Sequence, residues 1–320
     1  MNLGVRPVLT AVIGTGGHVQ NVLLPALPGA GLVPVAIAGR HFEKTQAVAE
    51  RFGIPSPCET VAEACAKADA VVVAVPVDAF ESVLSVAIDA GKPIFAEKPA
   101  APDATTARRL HALATAASVP VVVGYMKRFA PAYMRLRNHI SSPGFQGPSL
   151  VHVRWTMGPF GNDRPLDDWV TENAVHGIDL VRFLVGEIHA LDVDVSGGPG
   201  EYVVLARARA ANGGPVSLQL ATTGPWWHDN EFVEVLGLGS SARVENATTF
   251  VVRTSDGPEQ RWGPNFTIPV AENLTAELLG FAGALRAFAQ IVRYDGQSPC
   301  NLEDAARTLD VADAIIAAGS

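Results

Sequence analysis

Over the first 125 positions, apolar residues fall into short unbroken runs separated by stretches with helical spacing. VLTAVI at 8–13, LVPVAIAG at 32–39 and AVVVAVP at 70–76 are almost free of polar interruption. GKPIFAE at 91–97 and VPVVVGY at 119–125 extend the series. Between them, EKTQAVAERFG at 43–53 puts Ala47, Val48 and Phe52 at helical spacing and closes on a glycine. Residues 60–69, 78–90 and 103–117 read as further helices. Strand and helix thus alternate five times. Strands apolar on both faces predict a parallel sheet covered by helices on either side. Pro34 confines its strand to a near-start or edge position at that point.

After residue 125 the pattern changes. KRFAPAYMRLRNHI reads as one helix, SLVHVRWTM at 149–157 as an alternating strand, and 166–187 contains a helix. Six short strands follow: LDVDVSG, EYVVLARARAA, PVSLQLATTG, EFVEVLG, SARVEN and FVVRTS, with turn signals at NGG 212–214 and SDG 255–257. This predicts an antiparallel meander with one helix-covered face. Helical spacing returns in ENLTAELLGFAGALRAFAQIV and LEDAARTLDVADAIIAAG. The expected fold is α/β. A doubly wound parallel sheet occupies 1–123, and an α+β domain with a mostly antiparallel sheet occupies 124–320. Helix 302–318 is a candidate to pack back on the first domain.

Composition excludes several classes. The 320 residues are 48% apolar and 18% charged, which suits a folded chain of about two domains. A net charge of −8 without a basic run argues against nucleic acid. The longest apolar runs are of strand length, too short for a bilayer. The N-terminal run flows into a glycine loop, not a cleavage site, so no signal peptide is expected. Cys58, Cys65 and Cys300 lack metal spacing and read as reduced thiols in a cytoplasmic protein. No metal site is expected, because no third convergent ligand is nominated.

Candidate chemistry sits at strand ends. Gly14-x-Gly16-Gly17 follows the first strand and precedes a helix, where bare backbone lets a pyrophosphate rest on a helix N-terminus. The third glycine of that pattern is replaced by Val19. Arg40 ends the second strand, where an acidic residue would bind the ribose hydroxyls of NAD. An arginine there suits a 2′-phosphate, so NADP(H) is expected over NAD(H). Glu97-Lys98 ends the strand at 91–97. A lysine there can reach a substrate oxygen, and Glu97 can orient it.

The stretch VVVAVPVDAFESVLSVAIDAGKPIFAEKP resembles the glucose–fructose oxidoreductase/inositol dehydrogenase (Gfo/Idh/MocA) family. GYMKRFAPAYMRLR, NAVHGIDLVRFLVG and DGQSPCNLEDAARTLDVADAIIAA extend the resemblance over nearly the whole chain. It implies a Rossmann first domain, with Pro76 and Glu97 on the cofactor side and a cis bond at Lys98-Pro99. It further implies that Lys98 is the catalytic lysine and His176 the catalytic acid/base. Asp179, on the same helical face, is expected to orient His176. Asn173 stands where many members carry an aspartate; it can hold a hydroxyl but cannot take a proton. Phe80, in place of a histidine common in the family, reads as packing.

On the substrate side, Lys127, Arg128, Trp155 and Trp227 are candidates, tryptophan faces being suited to sugar C–H surfaces. The leading expectation is an enzyme interconverting hydroxyl and keto groups on a sugar, nucleotide-linked sugar or cyclitol. An imine or enamine reductase and a non-catalytic dinucleotide-binding sensor stand as alternatives. The uncovered sheet face predicts a homodimer or homotetramer.

Overall fold

A computed structural model describes residues 6–159, 161, 163–225, 230–267 and 274–319. Trp227, with its neighbours Trp226 and His228, lies outside the described residues. The chain divides into two compact units, Met1–Tyr125 with Phe281–Arg307, and Met126–Gly280 with Thr308–Ser320.

The first unit holds a sheet of six parallel strands: β1 (Val8–Ile13), β2 (Leu32–Ala38), β3 (Ser56–Cys58), β4 (Ala70–Val73), β5 (Ile94–Ala96) and β6 (Val121–Val123). Their order is β3-β2-β1-β4-β5-β6, so the winding reverses between β1 and β4. The helices are α1 (Leu24–Ala26, continuing a π-helical turn Val19–Leu23), α2 (Phe42–Phe52), α3 (Val61–Ala66), α4 (Phe80–Asp89) and α5 (Ala104–Ala116). Asp103 caps α5 by accepting from the Thr106 N–H at 2.7 Å. Phe80 is buried at the start of α4, as packing requires.

Pattern reading finds five of the six strands. It misses β3, which is three residues long, contains Pro57 and lies at the sheet edge, so it carries no apolar run. Pro34 sits beyond the reach of β3, which pairs with β2 only from Ala36 onward, so its missing N–H breaks no ladder on that side.

The second unit carries α6 (Pro131–Ile140), β7 (Leu150–Thr156), α7 (Leu166–Trp169), α8 (Val175–Val185), β8 (Ile188–Gly198), β9 (Glu201–Ala210), β10 (Pro215–Ala221), β11 (Asn230–Gly237), β12 (Ser240–Glu245), β13 (Thr249–Thr254), β14 (Gln260–Trp262) and α9 (Thr275–Leu278). The sheet runs β14-β13-β12-β11-β7-β10-β9-β8. It is not a simple meander: β7 inserts between β11 and β10 and pairs with β10 in parallel. α6 packs on β12 and β13, and α8 on β7 and β10, covering one face. The other face keeps polar side chains and Leu205, 47% exposed.

Two helices expected as single are broken. A 3₁₀ turn, Met126–Phe129, precedes α6, because Ala130 before Pro131 is held extended at φ −70°, ψ 130°. α9 stops at Gly280, whose φ of +95° admits no ordinary side chain. The final helices are α10 (Phe281–Tyr294) and α11 (Leu302–Ala318). α10 belongs to the first unit, against the expected boundary. Its Phe288 ring lies 5.9 Å from Phe95, and Arg293 donates to the Gly31 carbonyl at 3.0 Å. α11 belongs to the first unit only as far as Arg307. The three cysteines are buried free thiols, and burial raises the pKa of Cys58 and Cys65. No helix among the described residues is long and apolar enough to cross a membrane.

Candidate active site

In the first unit the candidate residues gather at the carboxyl ends of β1, β2, β4 and β5. Parallel pairing aligns Ile13 with Ala38 and with Val73, and Val73 with Ala96. The residues that follow, Gly14, Gly39-Arg40, Ala74–Pro76 and Glu97-Lys98, therefore emerge along one edge. Gly14 has φ +123°, and a Cβ there would lie 2.1 Å from the Ala74 carbonyl oxygen. Only glycine lets β1 turn against β4. Gly16 and Gly17 are exposed, and a Cβ on Gly16 would meet nothing within 4 Å. That open cradle at the start of a helix fits a dinucleotide's pyrophosphate, as the glycine pattern requires. Val19 is buried and belongs to helix packing. Arg40 is exposed at the end of β2, two residues beyond Ala38, whose carbonyl accepts from the Gly14 N–H at 2.8 Å. Pro76 is exposed after β4.

Glu97 is 6% exposed and Lys98 is half-buried. Glu97 Oε2 accepts from the Lys98 backbone N–H at 3.3 Å, and Oε1 lies 3.2 Å from His18 Nε2. Lys98-Pro99 is cis, as the family resemblance implies. His18 has no forewarning in the sequence. It reaches Glu97 from the helix that follows the glycine loop, and its ring rests on Phe281 at 5.4 Å.

In the second unit, His176 lies on α8 and Trp155 on β7, both half-buried, with ring centroids 5.8 Å apart and nearly perpendicular. Asn173 precedes them in a π-helical turn, Val170–Ala174. Lys127, 6% exposed, points its Nζ over the Trp155 ring at 5.2 Å and the Tyr133 ring at 5.9 Å. Its Nζ pairs with the Glu231 carboxylate, which also accepts from the Tyr133 hydroxyl. Glu231 stands directly opposite Trp155 in the β11–β7 ladder, so both point to the helix-covered face. His152, on the other face of β7, is held below its ordinary pKa by burial and then by Arg154.

Asp179 has partners distant in sequence. Asp179, 1% exposed, gives its carboxylate to Arg128, accepting from Nε at 2.8 Å and Nη2 at 2.6 Å, and to the Thr308 hydroxyl at 3.2 Å. Both of its carboxylate oxygens are engaged by Arg128, 51 positions away in sequence, whose buried guanidinium fork matches them. Glu231 and Tyr133 escape motif reading. A signal for Glu231 existed: Glu231, Val233 and Val235 alternate onto one face, putting a carboxylate in line with buried valines.

A six-stranded, doubly wound parallel sheet with an open glycine loop at its reversal point is the architecture of a dinucleotide-binding unit. Residues 8–125 match the Gfo/Idh/MocA family model, described as "Oxidoreductase family, NAD-binding Rossmann fold". Inositol 2-dehydrogenase 1 of Saccharopolyspora erythraea is 32% identical over 56% of this chain and 54% of its own, so the chain spans about half of that relative. Inositol 2-dehydrogenase of Rhizobium meliloti is 25% identical over 91% of this chain and 93% of its own. In structure, a levoglucosan dehydrogenase in complex with NADH and levoglucosan superposes with TM-score 0.86 at 18% identity, covering 98% and 97% of the two chains. That likeness shows the fold.

Proposed function

We propose that this chain is an NADP(H)-dependent oxidoreductase that interconverts a hydroxyl and a keto group on a sugar, a nucleotide-linked sugar or a cyclitol. The observation that carries the reading is Lys98, half-buried at the carboxyl end of β5 on the same strand-end edge as the open Gly14–Gly17 loop. When bound, the dinucleotide supplies or accepts the hydride. Lys98 donates a hydrogen bond to the substrate oxygen as its charge develops. His176 takes the hydroxyl proton in oxidation and returns it in reduction. Asn173 holds a neighbouring hydroxyl, and the Trp155 face packs on the sugar's C–H surface. The inositol dehydrogenase relatives support a cyclitol or sugar as substrate. A panel of sugars, keto sugars and cyclitols, followed by absorbance of the reduced nicotinamide, tests the reading. Turnover of imines alone would replace it with a reductase of C=N bonds, and no turnover of any kind with a sensor.

The cofactor preference rests on Arg40 and on the lack of a carboxylate at the end of β2. Arg40→Asp is expected to weaken NADPH and strengthen NADH binding, read as Kd by fluorescence titration. Wild-type protein that binds both cofactors equally would end the argument from Arg40. The protein is further proposed to act in the cytoplasm as a homodimer or homotetramer that buries the uncovered face around Leu205. Light scattering is expected to give at least twice the chain mass, and a stable monomer at micromolar concentration contradicts this.

A further inference from the structure

Two cations, Lys127 and Arg128, lie next to one another in the sequence and offer themselves as a clamp for an anionic substrate. The structure shows both committed. Arg128 faces the buried carboxylate of Asp179 through two hydrogen bonds. Lys127 faces the buried carboxylate of Glu231, and the same carboxylate accepts from Tyr133. Glu231 is fixed from behind as well. Its backbone N–H donates to the Asn246 side chain at 3.3 Å, and its carbonyl accepts from the Asn246 N–H at 2.7 Å. This carboxylate is held by its strand and by two donors, so it does not swing away to make room for another anion.

We propose that Glu231 sets the charge of the substrate: by neutralising Lys127 it reserves the wall beside Trp155 and His176 for uncharged polyols and turns away rings that bear a carboxylate or phosphate. The inference rests on the proposed function and narrows its substrate class. A group that packs on the Trp155 ring lies beside the Lys127 ammonium, because Lys127 sits over that ring. With a free lysine there, an anionic substituent would be drawn in. With Glu231 in place, the anion meets a second negative charge opposite Trp155 and finds the ammonium already paired. Like charges forced together in a desolvated site are a strong means of rejection. A hydroxyl loses nothing, since it can hydrogen-bond without displacing the pair.

The test uses matched sugars that differ only in charge: glucose with glucuronate, and galactose with galacturonate, beside myo-inositol as a further neutral probe. Wild-type enzyme is expected to favour the neutral member by about a hundred-fold in kcat/KM. Glu231→Gln keeps the shape and removes the charge. It is expected to narrow that ratio by about ten-fold or more, read as a fall in KM for the uronate relative to the KM for the neutral sugar. The double variant Lys127→Gln/Glu231→Gln, which leaves no lone buried charge, is expected to narrow the ratio less than Glu231→Gln, because it removes the repelling carboxylate and the attracting ammonium together. It serves as the folded comparison should circular dichroism show Glu231→Gln unfolded. Wild-type turnover of uronate and neutral sugar within a few-fold of each other overturns the inference while leaving the proposed function standing. So does an equal loss on both substrates in Glu231→Gln. If no probe is turned over, the proposed function fails and the inference falls with it.

Discussion

Lys98→Met is expected to lower kcat by about 10²–10⁴-fold while the Kd for NADPH changes little. Methionine keeps the length and flexibility of the side chain but removes the ammonium. The glycine loop after β1 and Arg40 after β2 are untouched, so cofactor binding should persist. Only the interaction with the reacting oxygen is lost, and that interaction strengthens as charge builds in the transition state, which places the effect in kcat. His176→Ala should fall in the same range, because it removes the proton's acceptor and donor. Asn173→Ala should cost less than either. The decisive measurement is steady-state kinetics on a verified substrate, beside a cofactor titration of each variant. Near-normal turnover by Lys98→Met would reduce Glu97-Lys98 to the solvated end of a strand and leave His176 as the sole acid/base candidate.

Asp179→Ala is expected to destabilise the protein by about 3–5 kcal/mol, because it strands the buried Arg128 guanidinium without its counter-charge. Asp179 is 1% exposed, and two of its hydrogen bonds go to Arg128. Thr308 would also lose its acceptor. Urea unfolding should show the midpoint shifting with the slope unchanged, the mark of a stability effect in a cooperative transition. The expectation that Asp179 orients His176 makes the opposite forecast: a drop in kcat with stability intact. The two accounts separate in a single pair of measurements, and a fully stable, slow Asp179→Ala enzyme would support the orienting role.

The strand-and-helix alternation to residue 125 was legible because buried parallel strands leave short continuous apolar runs bounded by turn residues. The misses have local causes. β3 is too short to leave a run, and Pro131 and Gly280 break helices whose apolar spacing continues across the break. The insertion of β7 into the second sheet depends on pairing between distant segments, which periodicity cannot see. At the site, glycines and strand-end charges were readable because backbone geometry restricts the residues there. The partnerships of Asp179 with Arg128 and of Glu231 with Lys127 were not, since they join residues 51 and 104 positions apart. Each charged residue is ordinary in its own stretch, and only the fold decides which of several opposite charges it meets.

The first unit is interrupted: its sheet is complete at Val123, yet α10, which brings Phe288 against Phe95, is supplied only after the whole of Met126–Gly280. A ribosome therefore releases all six parallel strands long before it releases the helix that shields one of their central rings. During that interval the nascent sheet carries a bare aromatic surface around Phe95, a natural landing site for a chaperone. A fragment ending at residue 125 would carry the same surface permanently, so the segment that reads as a self-contained module in sequence is expected to clump when expressed alone. Grafting the Phe281–Tyr294 helix onto its end is the rational route to a soluble cofactor-binding half.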